Sequence, residues 1–326
     1  MINRHRFAES PTVMVVPCFN EARRLDARAF LDFARRWPAI QLLMVDDGST
    51  DDTPQRLHDM ARRSAGRIAV LQLTANTGKA EAVRRGVLAA LESNPELVGY
   101  WDADLATPLD QIPRFCQVLV DRPEVQLVLG VRIRLLGHRI RRSAWRGRLG
   151  RLFAQLASRT LGIRMFDTQC GAKLFRVTPA IIRAFRHPFL ARWIFDVELI
   201  SRLVRLAAPS RPHEILFEYP LERWQEVGGS RLKPGDFVRA PLDLMAICWA
   251  HWRHASVAPH ESTVAADKEL RPAAAGVYVP RQPTDQAATA AEALPKWERT
   301  SWPDATDAIV PKACDSSFAV SSGSQS

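Results

Sequence analysis

The chain has 326 residues, 47% of them hydrophobic, enough for one large α/β domain or two small ones built on a real core. From Ser256 onward nine acidic residues face six Lys or Arg, so residues 1–255 carry 39 bases against 26 acids, and this basic body predicts an anionic partner: phosphate groups, nucleic acid or a membrane surface. Five scattered cysteines without a CxxC pair or Cys/His ligand spacing argue against a disulfide framework and a zinc site and favour a reducing compartment.

Residues 1–10 read as a short extension without the apolar stretch of a signal peptide. From Val13 to Trp101 short β-rich runs ("TVMVV", "QLLMV", "IAVLQL", "LVGYW") alternate with segments of helical spacing ("EARRLDARAFLDFARRW", "DDTPQRLHDMARRSAG", "GKAEAVRRGVLAALES"). That alternation predicts a parallel sheet wrapped by helices, with ligands beyond the C-terminal strand ends. After the first strand, Pro17 is expected to stop the ladder, and Asn20 and Glu21 to stand at a helix start, where Asn20 would serve as an N-cap. After the second, Gly48 permits a tight turn. The pair Asp46–Asp47 exceeds what a strand–turn–helix junction needs, and such carboxylates can accept from a base N–H or a ribose hydroxyl. After the third, Asn76, Gly78 and Lys79 open a helix in a way that suits a phosphate, although the P-loop spacing is absent.

After the fourth strand comes "WDADLATP". Asp102 and Asp104 repel each other unless a cation lies between them, and Mg²⁺ or Mn²⁺ held by one or two carboxylates plus substrate phosphates is the arrangement that uses them. A surface alternation of charge would be the plain alternative for this motif alone. As the fourth polar motif in a row at a strand end, it predicts a cation–diphosphate site.

Between Val125 and Phe166 there is no Asp or Glu, and eight arginines lie from Arg132 to Arg151. Trp145, Leu149, Leu152, Phe153 and Leu156 recur at helical intervals among them. A basic amphipathic helix of this kind reads as an element lying on an anionic membrane; a solvated basic face over a core-packed stripe is the other reading. RNA could use the same charge, but no KH loop or RNP motif accompanies it, so no specific nucleic acid is expected. "APLDLMAICWAHW" falls short of the roughly 18 apolar residues of a membrane span and contains Asp243, so the chain is expected not to span a bilayer by itself. Residues 256–326, rich in Ala, Pro, Ser and Thr, read as a disordered tail behind a domain of residues 11–255.

In this order, "VPCFNE", "VDDGSTD", "NTGKAEAVRRG" and "DADLATP" resemble a family 2 glycosyltransferase of the GT-A fold, a Rossmann-like nucleotide-sugar-binding sheet wrapped by helices. "DTQCGAKLFR", "RWIFDVELI" and "RWQEVGGSRLKP" are similar to its dolichyl-phosphate β-glucosyltransferase branch, which includes bacterial polyprenyl-phosphate glycosyltransferases. The resemblance covers about residues 11–250. It implies a metal-dependent (Mg²⁺ or Mn²⁺), inverting enzyme that moves a hexose, glucose from UDP-glucose, onto polyprenyl or dolichyl phosphate. The alternatives are a GDP-mannose-dependent mannosyltransferase and a non-catalytic basic protein that binds membranes or RNA on the same fold.

Carried over by motif, Pro17, Asn20, Glu21, Asp47 and Lys79 line the nucleotide pocket, joined by Asp46 and Asn76. Asp104 is the metal ligand, with Asp102 near ribose and metal, while Gln169, Asp196 and Glu198 face the sugar or order the acceptor side. "RSAWR" resembles the acceptor-side motif, so Arg142 and Arg146, with Arg132, are assigned the acceptor phosphate, which guanidinium forks match in geometry. The implied location is cytoplasmic, peripheral on the inner face of a membrane. Family members often carry a membrane helix that this sequence does not show, and Ala172 stands where relatives have an aromatic.

Overall fold

The computed structural model describes residues 10–141, 154–159, 161–192, 194–207, 210–227, 243–247 and 249, with the backbone of 277–278. Arg142, Arg146 and the stripe residues Trp145, Leu149, Leu152 and Phe153 lie outside the described residues, as does the tail apart from that one pair.

The four β-rich runs form β1 (Thr12–Cys18), β2 (Ile40–Asp46), β3 (Ile68–Gln72) and β4 (Leu97–Trp101), all parallel, in the spatial order β3-β2-β1-β4. Both faces of these strands are covered, which is why they read as continuous apolar runs. Val13 and Val15 pack on one side with α3 (Lys79–Leu91), α5 (Pro179–Arg186) and α6 (Phe195–Leu206). Met14 and Val16 pack on the other with α1 (Ala27–Arg36), α2 (Thr53–Arg63) and α4 (Ile112–Asp121). Tyr100 and Trp101 are fully buried, one on each side of the sheet, and each contributes roughly 1.5–3 kcal/mol or more of apolar burial.

Two local expectations are corrected. Pro17 does not stop the ladder with β2, which runs on to Cys18 opposite Asp46; the pairing with β4 ends earlier, at Val15 opposite Tyr100. Nor does Asn20 cap a helix. Residues 21–26 turn first, and Asp26 caps α1 by accepting the Ala29 N–H at 3.0 Å.

The second half of the sheet is mixed. β7 (Ala172–Arg176) runs antiparallel between β4 and β5 (Leu127–Val131), and β5 pairs in parallel with β8 (Leu216–Pro220), which follows the short helix α7 (Pro212–Ile215). The parallel sheet expected from Val13 to Trp101 is found in β1 to β4; beyond it the chain enters β7 at the end of the sheet where β4 leaves it, so β7 runs back. A separate parallel ribbon joins β6 (Arg139–Arg141) to β9 (Arg223–Gln225). Within the stretch read as a tail, β10 (Val277–Tyr278) pairs antiparallel with β3 at the sheet edge. Among the described residues no helix is long and apolar enough to cross a membrane.

Candidate active site

The C-terminal ends of β1 to β4 share one edge, and the polar motifs meet there. Gly48, at φ +66°, lets the loop after β2 press against the loop after β3: a Cβ at this position would lie 2.4 Å from the Ala75 carbonyl carbon. Asn20, itself at φ +50°, clips the loop after β1 to the loop after β2. Its Oδ1 accepts the Thr50 N–H and its own N–H donates to Ser49 Oγ, both at 2.8 Å. Glu21 is buried; its N–H donates to Thr53 Oγ1 at 2.7 Å, and its carboxylate takes Arg24 Nε at 2.8 Å and Nη2 at 2.5 Å.

The two acids after β2 do different things. Asp47 spends both oxygens on the loop before α3: Oδ1 accepts the Thr77 N–H and hydroxyl, and Oδ2 the Gly78 N–H, each at 2.8 Å. This holds Gly78, and hence Lys79, in place at the start of α3. Asp46 is fully enclosed; Oδ1 accepts the Ser49 N–H at 3.2 Å, Oδ2 has no partner, and burial raises its pKa. Pro17 is half-buried within β1 and Asn76 is exposed.

Lys79 reaches across the edge to Asp102, Nζ to Oδ1 at 2.5 Å, with the two side chains 42% and 33% exposed. Burial disfavours the ammonium, but Asp102 and then Asp196 outweigh it and raise the Lys79 pKa. Asp104 sits two residues on, in a turn held by the Trp101 indole N–H donating to the Thr107 carbonyl at 2.8 Å and by Leu105 at φ +54°. Its Oδ1 accepts the Ala106 N–H at 3.0 Å. Burial first, and then the Asp102 charge, push its pKa up. Among the described residues no Lys or Arg forms a salt bridge with Asp104.

This donor set suits a hard divalent cation: carboxylate oxygens, one of them destabilised by a like-charged neighbour, at an open edge where substrate phosphates can complete the shell. No cluster of three or more His, Cys, Asp or Glu occurs among the described residues, so protein groups alone do not make a closed metal cage.

Behind the pair lies the turn before β7. Asp102 N–H donates to the Gly171 carbonyl at 3.1 Å, and a Cβ on Gly171 would fall 1.9 Å from Asp102 Oδ2. Gln169 is half-buried with Nε2 unpartnered, and Thr168 Oγ1 is unpartnered as well. Asp196, assigned to the sugar side, is only 4% exposed. It holds Lys173 Nζ at 2.6 Å and accepts the Tyr100 hydroxyl. Lys173, with no exposure, also donates to the Cys170 carbonyl at 2.7 Å and that of Thr168 at 3.2 Å. Asp196 thus anchors the site's floor from below. Glu198 accepts the Leu190 and Ala191 N–H groups at 2.8 and 3.1 Å and the Arg202 guanidinium at 2.6 Å, ordering the chain that presents Arg192.

Arg132 turns its fork toward Asp167, Nε to Oδ2 at 2.5 Å and Nη2 to Oδ1 at 2.8 Å, which pins the end of β5 to the 167–171 turn. Residues not singled out from the sequence are Lys173, Tyr100, Gly171, Asp167 and Arg192, whose Nη2 reaches the Thr77 carbonyl at 3.2 Å and covers Gly78. Lys173 has a readable signal, a lysine inside the apolar run "GAKLF"; the exposed Arg192 has none.

Comparison with known proteins follows the same outline. The Glycosyl transferase family 2 model matches residues 13–181. A dolichyl-phosphate β-glucosyltransferase of Homo sapiens is 32% identical over 245 residues, 69% of this chain and 72% of that protein. Its counterpart in Drosophila melanogaster is 31% identical over 276 residues, 78% and 81% of the two chains. Among solved structures, glucosyl-3-phosphoglycerate synthase from Mycobacterium tuberculosis, in complex with Mn²⁺, UDP-glucose and phosphoglyceric acid, superposes with a TM-score of 0.55 at 19% identity, covering 76% of this chain and 84% of that one, and so shares its fold. The chain belongs to glycosyl transferase family 2, in the branch that holds the dolichyl-phosphate β-glucosyltransferases.

Proposed function

We propose that the protein transfers glucose from UDP-glucose to the phosphate of dolichol or another polyprenol, with inversion at the anomeric carbon and with a divalent cation at Asp104. The observation that carries this reading is the mixed-charge edge of Lys79, Asp102 and Asp104 in a chain about one-third identical to dolichyl-phosphate β-glucosyltransferases. The Mn²⁺ and UDP-glucose held by the M. tuberculosis synthase on the same fold support it.

A cation held by Asp104, with Asp102 beside it, would neutralise the leaving diphosphate. The chain's own residues do the rest by position. Lys79 offers an ammonium to the diphosphate while its bridge to Asp102 keeps that carboxylate oriented. Asp47 fixes the 77–79 turn, and Arg192 adds a second cation over it. The acceptor phosphate oxygen is anionic at neutral pH, so in-line attack on the anomeric carbon needs no general base. A glycosidase-like acid–base pair is therefore unnecessary. Arg132, Arg142 and Arg146 are the proposed acceptor-phosphate residues, with Arg132 sharing its fork with Asp167.

The test is a transfer screen of UDP-glucose, other UDP-sugars and GDP-mannose against a polyprenyl phosphate, with Mg²⁺ or Mn²⁺ present or chelated. Product mass identifies the sugar transferred. A glucosyl product that disappears with EDTA is expected; a mannosyl product, or transfer unaffected by chelation, overturns the donor or the metal assignment respectively.

A further inference from the structure

Three large apolar side chains are exposed on the two segments joined by the Arg132–Asp167 pair. Leu136 is fully exposed, Leu135 is 45% exposed and Phe166 is 69% exposed. Leu135 and Leu136 form the tip of the turn that leaves the end of β5. β7 is antiparallel to both β4 and β5, so β5 points the same way as β4, and this turn emerges on the edge that carries Asp102 and Asp104.

The tip stands on a fixed base. Leu221 N–H donates to the Val131 carbonyl at 3.0 Å, Arg139 N–H to that of Glu222 at 2.8 Å, and His138 N–H to that of Leu135 at 3.1 Å. Its ribbon is bonded to the acid-bearing loop: Gln225 N–H donates to the Ala106 carbonyl at 3.0 Å, and Gln111 Nε2 to that of Arg223 at 2.8 Å. Phe166 adjoins Asp167, the partner of Arg132. Arginines dominate the turn's own segment, and acids nearby are engaged: Glu218 accepts the Phe166 N–H at 2.8 Å and Glu222 pairs with Arg114 at 2.7 Å. Arg134, Arg139, Arg141 and Arg164 are exposed, and no Asp or Glu occurs in residues 126–166.

We propose that the Leu135–Leu136 turn, with Phe166 beside it, is a wedge that inserts into the surface of an anionic lipid bilayer and sets the Asp102–Asp104 edge against it. An apolar tip collared by arginines matches a bilayer interface in both its parts: the tip enters the acyl boundary and the collar meets anionic headgroups. Nucleic acid would use the arginines and leave the leucines in water. Binding to lipid stands apart from the proposed reaction; only the benefit to an acceptor embedded in that lipid rests on it.

The experiment is co-sedimentation of the full chain with phosphatidylcholine vesicles, with and without phosphatidylglycerol, for the wild type, the double variant Leu135→Ser/Leu136→Ser, and Ile182→Ser. Ile182 is 44% exposed on α5, outside this turn, and controls for nonspecific apolar loss. The double variant is expected to bind phosphatidylglycerol vesicles at least about tenfold more weakly than wild type, the scale of losing two buried leucines. Ile182→Ser is expected to bind as wild type, and neutral vesicles to bind wild type far less than anionic ones. Unchanged binding by the double variant, an equal loss in Ile182→Ser, or equal binding to neutral and anionic vesicles overturns the proposal. So does a double variant that loses single-stranded RNA binding but keeps vesicle binding. Calorimetry of UDP-glucose with Mn²⁺ on the same samples keeps the two hypotheses separate: vesicle binding without donor binding sinks only the proposed reaction, and the reverse sinks only the wedge.

Discussion

Gly171 leaves no room for a side chain, and what a Cβ would strike is the movable end of Asp102 rather than backbone. Gly171→Ala should therefore keep the fold and swing the carboxylate off Lys79. Donor affinity measured calorimetrically with Mn²⁺ should fall about tenfold or more, on the scale of a lost charge-assisted contact, with little change in Tm. Asp104→Asn should lower metal-stimulated turnover on the order of 10²-fold or more, as when one preorganised charge-stabilising group is removed. Protonation has a defined direction here. Burial raises Asp46, Asp104 and Glu218, so these groups hold protons more readily when folded. The metal-free protein should gain stability as pH falls from neutral toward about 4, the ordinary carboxylate value. Asp51 and Glu81 shift down, because hydrogen bonds from Thr53, and from Arg84 and Arg85, outweigh burial; their contribution is lost only below about 4. Thermal melts should thus peak in mild acid. Mn²⁺-dependent donor binding should run the other way, since it needs Asp104 ionised, and should fall while the pH is still above about 4. A melt that declines steadily from pH 7 downward would contradict the first expectation.

At the level of elements, Lys173 on β7, Tyr100 on β4 and Asp196 on α6 join three pieces of chain beneath the site. Removing one member of a buried ion pair strands the other, so Lys173→Met should cost about 3–5 kcal/mol in denaturant unfolding. Adding Asp196→Asn should recover part of that, because no unpaired charge then stays buried. The pair also marks the border of what could be read from the sequence. β1 to β4 were legible because their apolar runs are bounded by turn residues, and the motifs at their ends converge simply because parallel strands end together. The direction of β7 was not legible, since "AKLFR" has the same periodicity whichever way it runs. Asp196 stands out in the sequence, but its partner Lys173 lies 23 positions away, and local spacing carries no record of that pairing. Likewise Asp47, which reads like a ligand for a nucleotide, has both oxygens engaged by Thr77 and Gly78, contacts that depend on how two loops meet.

Among the described residues the acids, Lys79 and the apolar tip lie at the strand-end edge of the sheet, while a two-residue pairing covers part of its β3 flank. On this flank Val277–Tyr278 lie opposite Leu71 and Val70 and cover that part of the outer edge of β3 (Ile68–Gln72). An uncovered strand of this kind is a template for pairing with another chain. The polar motifs lie on the strand ends and not on this flank, so the two can be separated by shortening the chain. A chain ending at residue 255 should bind UDP-glucose with Mn²⁺ as tightly as the full chain, yet self-associate more in light scattering as concentration rises. A chain ending at residue 282 should bind the donor equally well and stay as dispersed as the full chain, because it keeps the covering pair. Self-association that is the same for all three would show that the flank needs no cover. Loss of donor binding in the shorter chain alone would place part of the site within residues 256–282.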